Sequence, residues 1–83
     1  MKLVRISAVW CVSCIITNKV WLSLKDKYKD YEYIELDYDM DDIEKYNTGD
    51  LLPVIIIFKE GIEVKRIIGE TTLTDIEKIL GEI

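Results

Sequence analysis

The only two cysteines of the chain stand two residues apart, in Trp10-Cys11-Val12-Ser13-Cys14. An apolar-rich run, Leu3-Val4-Arg5-Ile6-Ser7-Ala8-Val9, leads into them, and a long helical pattern follows. The stretch reads as strand, tight turn and helix, with Cys11 where the helix begins. That junction constrains fold and chemistry together. The first turn of a helix has unpaired N–H groups and the positive end of the macrodipole, which favour an anion. A thiolate is such an anion, and it is the species that attacks disulfides. Cys14, three residues on, lies over the same helical face, so the pair can close and open a small disulfide ring.

Other readings of the pair are core filler, an inert structural disulfide, and half of a zinc site. Zinc takes about four ligands. With no His and no third Cys in the chain, it would have to use carboxylates or a second copy. C-x-x-C in a βαβ setting is the redox reading.

Eighty-three residues, 49% of them apolar, suffice for one packed domain and leave no room for two cores. The net charge of -5 argues against nucleic acid, whose phosphates need a basic surface. The basic residues are scattered, with no run that reads as a membrane or RNA patch. No apolar stretch reaches the ~18 residues of a membrane span. Met1-Lys2 opens a strand pattern rather than a signal peptide. A cytoplasmic setting is expected, where a lone C-x-x-C is catalytic more often than structural. A secreted form with its leader removed is the alternative.

Lys2 to Ser7 is expected as a strand and about Cys11 to Lys29 as a helix. Its stripe of Ile16, Val20, Leu24 and Tyr28, with Trp21 alongside, should face the sheet. Ile15 and Leu22 lie on another face, which suggests cover on more than one side. Tyr31 to Asp37 reads as a second strand, parallel to the first because a helix joins them. In the acidic stretch 37–42, Asp39 is placed as the N-cap of a short helix through Ile43 and Tyr46. A calcium loop is the sharper reading of these acids, but the EF-hand Gly and Glu positions are absent. Asn47-Thr48-Gly49-Asp50 is a loop. Pro53 starts a central strand, Val54-Ile55-Ile56-Ile57-Phe58, buried on both faces. Lys59-Glu60-Gly61 turns the chain, and Ile62 to Ile68 returns antiparallel. Gly69 breaks that strand. Thr72 to Asp75 resembles a capping box, and Leu73, Ile76, Leu80 and Ile83 stripe a last helix. The expected fold is α/β: four strands in a mixed sheet of order 2-1-3-4, with both helices on one face.

Over nearly its full length, residues 1–83, the chain resembles the thioredoxin family. The resemblance rests on Trp10-Cys11-x-x-Cys14 between strand and helix, Leu52-Pro53 about forty residues on, the run Val54 to Gly61, and Ile68-Gly69 before the last helix. It implies a minimal thioredoxin fold of glutaredoxin-like size, without the family's usual first strand and helix. It also implies a thiol–disulfide oxidoreductase, most simply a dithiol reductant of protein disulfides. Cys11 would be the attacking thiolate and Cys14 the resolving one, forming a Cys11–Cys14 disulfide. Pro53 would be cis, Leu52 would present backbone to an extended substrate, Trp10 would be an apolar lip, and Gly69 would keep the rim open. Plain surface packing of Trp10 and simple strand termination by Gly69 are the alternatives there. No built-in cofactor is implied. The partners implied are a disulfide-containing protein and an electron-donating reductase or small thiol; a monomer is expected. A glutaredoxin-like enzyme using glutathione, and a redox-inactive binding module, are the competing functions.

The departures are specific. Val12-Ser13 replaces the family's Gly-Pro, the His of oxidising members is missing, and Lys19 stands where a kinking proline is usual. Six residues before the first Cys the family carries a buried Asp, near a Lys on the neighbouring parallel strand. Here Arg5 takes the first position and Glu35 the second. The implied arrangement is an Arg5–Glu35 pair beneath the site, with Arg5 stabilising a thiolate and Glu35 accepting the Cys14 proton. Alternatively, both side chains point into water.

Overall fold

The computed structural model describes residues 1–83 as β1 (Lys2–Ser7), α1 (Val12–Lys27), β2 (Glu32–Asp37), a 3-10 turn (Glu44–Tyr46), β3 (Val54–Lys59), β4 (Ile62–Ile68) and α2 (Leu73–Glu82). The strands lie in the order β2-β1-β3-β4, as the sequence pattern implies. β1 runs parallel to β2, from Lys2 opposite Glu32 to Ser7 opposite Asp37. It runs antiparallel to β3, from Lys2 opposite Phe58 to Ile6 opposite Val54. Parallel neighbours need a crossover, and α1 supplies it. β4 is an edge strand, where Glu63, Lys65 and Arg66 discourage further pairing.

Alternation along the strands divides the core in two. Leu3, Ile55 and Ile57 face Trp21 and Leu24 of α1 and Ile76 and Leu80 of α2. Both helices therefore cover one face, as expected. Val4, Ile6, Val54 and Ile56 face the other way, with Ala8, Leu52 and both cysteines, under Tyr38, Ile43 and Tyr46. β3 is buried on both faces from Val54 to Ile57, which accounts for its unbroken apolar run.

Expectations for α1 and for Asp39 are corrected. The buried stripe of α1 is Cys14, Thr17, Trp21 and Leu24, while Ile16, Ile15 and Leu22 are exposed. Trp21 has the most area to bury and sets the rotation of the helix. Thr17 can follow it inward because its hydroxyl donates to the Ser13 carbonyl at 2.8 Å. Ile15 and Leu22 thus face outward, with no second layer over them. The helix also ends at Lys27, with Tyr28 as its C-cap.

Asp39 does not cap a helix. Its carboxylate accepts from the Trp10 indole N–H. The neighbouring aspartates bond local backbone instead: Asp37 accepts from the N–H groups of Asp39 and Met40, Asp41 from Asp37, and Asp42 from Glu44. Such bonds compete with the helical ladder, and only a 3-10 turn with the uncapped Ile43 at its start survives. The expected cap of α2 is present, with Thr72 Oγ1 accepting from Asp75 N–H at 3.1 Å.

Candidate active site

Cys11 is the N-cap of α1, in an extended conformation. Its Sγ accepts from Cys14 N–H at 3.1 Å. A sulfur thus takes the place that an Asp or Ser oxygen fills at ordinary helix starts. The loop from β1 is closed by Cys11 N–H donating to the Ala8 carbonyl at 3.2 Å. Cys14 is 3% exposed. Burial and the adjacent Cys11 push its thiol up to about 11, against lowering contributions from the Ala8 backbone and the Arg5 charge.

The Leu52–Pro53 peptide bond is cis, and Leu52 packs in the cluster that holds both cysteines. Gly69 N–H donates to the Pro53 carbonyl at 2.8 Å, which ties the end of β4 to this corner. Leu52 makes no backbone hydrogen bond within the chain. Gly69 has φ 90°, whereas a Cβ there would meet nothing within 4 Å. Backbone conformation, not crowding, requires the glycine. Trp10 is 58% exposed. It meets Tyr38 edge to face at 6.1 Å between centroids, so its ring is held on one side and open on the other.

Arg5 lies beneath α1 and is only 6% exposed. Its Nη2 donates to the Cys14 carbonyl at 2.8 Å, and its Nη1 is 3.8 Å from Glu35 Oε1. The two charges are neighbours by register, Arg5 lying opposite Glu35 across β1 and β2. Only one end of the pair is buried, since the Glu35 side chain is 50% exposed. Arg5 Nε is buried with no partner. A cleft of about 230 Å³ opens here, lined by Arg5, Ser7, Cys14, Asn18 and Asp37 among others; Glu35 is not part of it.

Three contacts of the site join residues too far apart for any spacing rule to pair. Asp39 holds Trp10 across 29 positions. Ser13, between the cysteines, donates to Glu70 Oε1 at 2.9 Å across 57. Tyr38 OH reaches Asp50 Oδ1 at 3.4 Å. In the sequence, Ser13 stood out only as part of the Val12-Ser13 that replaces the family's Gly-Pro, and that did not indicate a partner.

A family model described as Thioredoxin matches residues 1–82. The chain is 32% identical over 70 residues to thioredoxin H2 of Arabidopsis thaliana, covering 83% of this chain and 53% of that protein. It is 33% identical over 64 residues to the thioredoxin of Mycoplasma genitalium, covering 75% and 62%. The chain thus spans between half and two thirds of the length of these relatives. Among solved structures, thioredoxin-2 of a malaria parasite superposes with a TM-score of 0.89 at 19% identity, over 99% of this chain and 82% of that one. Oxidised mitochondrial thioredoxin 3 of Saccharomyces cerevisiae superposes at 0.84 and 25% identity, over 99% and 77%. No helix is long and apolar enough to cross a membrane.

Proposed function

The chain belongs to the thioredoxin family, and from that premise we propose that it is a dithiol reductant of protein disulfides. The observation that carries this reading is Cys11 at the start of α1, its sulfur accepting from Cys14 N–H, packed with the unpaired peptide of Leu52 before cis-Pro53. An extended substrate segment can pair with that peptide as an added strand would, which sets its disulfide beside Cys11. Trp10 and Gly69 flank the same corner as its lip and rim.

In the first step Cys11 thiolate attacks one substrate sulfur. A Cys11–substrate disulfide forms, the substrate S–S bond breaks, and the released thiolate takes a proton. Cys14 then gives up its proton and attacks the Cys11 sulfur. The Cys11–Cys14 bond forms and the second substrate thiol leaves, so two electrons and two protons have passed to the substrate. The high value of Cys14 keeps it a thiol until that second step. Arg5 acts as a positioning residue, fixing the Cys14 carbonyl and favouring its thiolate. Glu35 touches Arg5 rather than the thiol, so we assign it an influence on that proton only through the position and charge of Arg5, the proton itself passing to water in the cleft beside Cys14. A reductase or a small thiol returns the electrons. A cytoplasmic setting suits a dithiol kept reduced in this way.

The test is reduction of a protein disulfide with a dithiol as electron source. Wild type is expected to turn over, Cys11→Ser to stay at background, and Cys14→Ser to stall as a mixed disulfide visible by mass. Activity restricted to glutathione mixed disulfides would point to glutaredoxin-like chemistry. Background rates in wild type would leave a binding module. An unchanged pH profile of resolution in Glu35→Gln would remove its proton role.

A further inference from the structure

Around Cys11 the surface is apolar. Val9, Trp10, Val12 and Ile15 on the helix side and Leu51 and Ile68 on the Pro53 side are all exposed, Val9 by 83% and Leu51 by 71%. The six come from three separate parts of the chain: Trp10 and Val12 flank Cys11 in sequence, Val9 and Ile15 line the cleft beside Cys14, and Leu51 and Ile68 line one depression on the Pro53 side. No element of the chain covers them.

The charges set among them are of one sign. Asp39 is bound to the Trp10 indole. Glu70 is bound to Ser13, between the cysteines. Asp50 precedes Leu51 and reaches Tyr38 OH. Their hydrogen-bond partners are neutral, and none of the three is in an ion pair. The basic groups nearby are already engaged or set back. Arg66, beside Leu51 and Ile68, is held by both oxygens of Glu63 at 3.0 and 2.8 Å. Arg5 is buried beneath α1. Lys19, further along α1, lines one groove with Glu70, Ile16 and Thr72, but it makes no ion pair with Glu70.

We propose that this collar selects its substrate: an extended protein segment in which apolar residues beside the disulfide are flanked by Lys or Arg. The inference rests on the reductant reading above and adds the chemistry of the segment. Apolar side chains cover the collar, and cationic ones meet Asp39, Asp50 and Glu70 at its edge. Exposed charges of this kind act mainly on encounter and discrimination, and salt screens them.

The experiment compares kcat/KM for three disulfide-linked peptides of one apolar core, flanked by two Lys, two Gln or two Glu. At low ionic strength the Lys peptide is expected to exceed the Glu peptide about ten-fold, narrowing to about two-fold or less near 0.5 M salt. In the double variant Asp50→Asn, Glu70→Gln the ratio should fall to about three or below. The variant Glu32→Gln, Glu60→Gln makes the same charge change at the far end of the sheet, where both residues border one depression with Lys2; it should keep the native ratio. Each ratio is taken within one preparation, so loss of folded protein cancels. Equal rates for all three peptides in wild type would overturn the proposal while leaving the reductant reading intact. Equal narrowing in both double variants would assign the preference to net charge and overturn it too. If no peptide is reduced, the reductant reading fails and the inference with it.

Discussion

Burying Arg5 costs several kcal/mol of desolvation. Its surroundings offset that with only one hydrogen bond to the Cys14 carbonyl and one ion contact at 3.8 Å, and they leave Nε without a partner. Replacing such a charge by an apolar side chain of similar length is often neutral or stabilising. Arg5→Met is therefore expected to keep or raise Tm in a thermal melt. The same change removes the charge that favours Cys14 thiolate. Cys14 should then hold its proton more tightly, and resolution of the mixed disulfide at pH 7 should slow by roughly three- to ten-fold, the effect of about half to one pH unit. Its pH profile should move upward, as single-turnover kinetics would show. A faster resolution would mean that Arg5 plays no part in activating Cys14.

At the scale of elements, α1 is oriented by Trp21 and Thr17 rather than by its isoleucines. A lysine at Thr17 would bury an unpaired charge, whereas one at Ile16 would reach water. Thr17→Lys is expected to cost at least ~3 kcal/mol and Ile16→Lys within about 0.5 kcal/mol of nothing, both read from urea unfolding. The opposite order would restore the stripe expected from spacing. For α2, removing the Thr72 cap in Thr72→Ala should cost about 1 kcal/mol, a fall in Tm of roughly 4–8 °C for a domain this small.

Across the whole molecule, stability should decline at both ends of the pH scale. The Cys14 thiol is raised from 9.0 to about 11 in the fold, so the folded, reduced chain holds that proton more tightly than the unfolded chain. That contribution is complete below about pH 9, the unfolded value, and is lost as pH rises towards 11; it amounts to at most ~3 kcal/mol. Cys14→Ala should flatten this alkaline limb in denaturant titrations. Glu77 and Glu63 are held below the usual carboxylate range, the first by hydrogen bonds from Lys27 and Tyr28 and the second by Arg66. Their contribution is present above the unfolded carboxylate value and lost as pH falls through the depressed one. Glu77 also bridges α1 and α2 through Lys27 at 2.7 Å and Tyr28 at 3.0 Å. Glu77→Gln should therefore make the acid limb shallower, and an unchanged limb would remove the bridge from the account.

What the chain's own sequence determined is what depends on neighbours within a few residues. The alternation of β1, the two-sided burial of β3, the crossover through α1, the Thr72 cap and the place of Cys11 at a helix start all follow from local periodicity and backbone sterics. The strand order followed too, because a single β-helix-β crossover and one hairpin leave few arrangements. Tertiary structure alone decided where rival local options were close in energy. Asp39 can cap a helix or bind an indole, and the approach of Trp10 settled it. Ile16 and Thr17 compete for the same inward turn, and the bulk of Trp21 settled that. The Ser13–Glu70 bond and the collar of apolar and acidic side chains around Cys11 join segments with no periodic relation, so only the closing of the sheet brings them together.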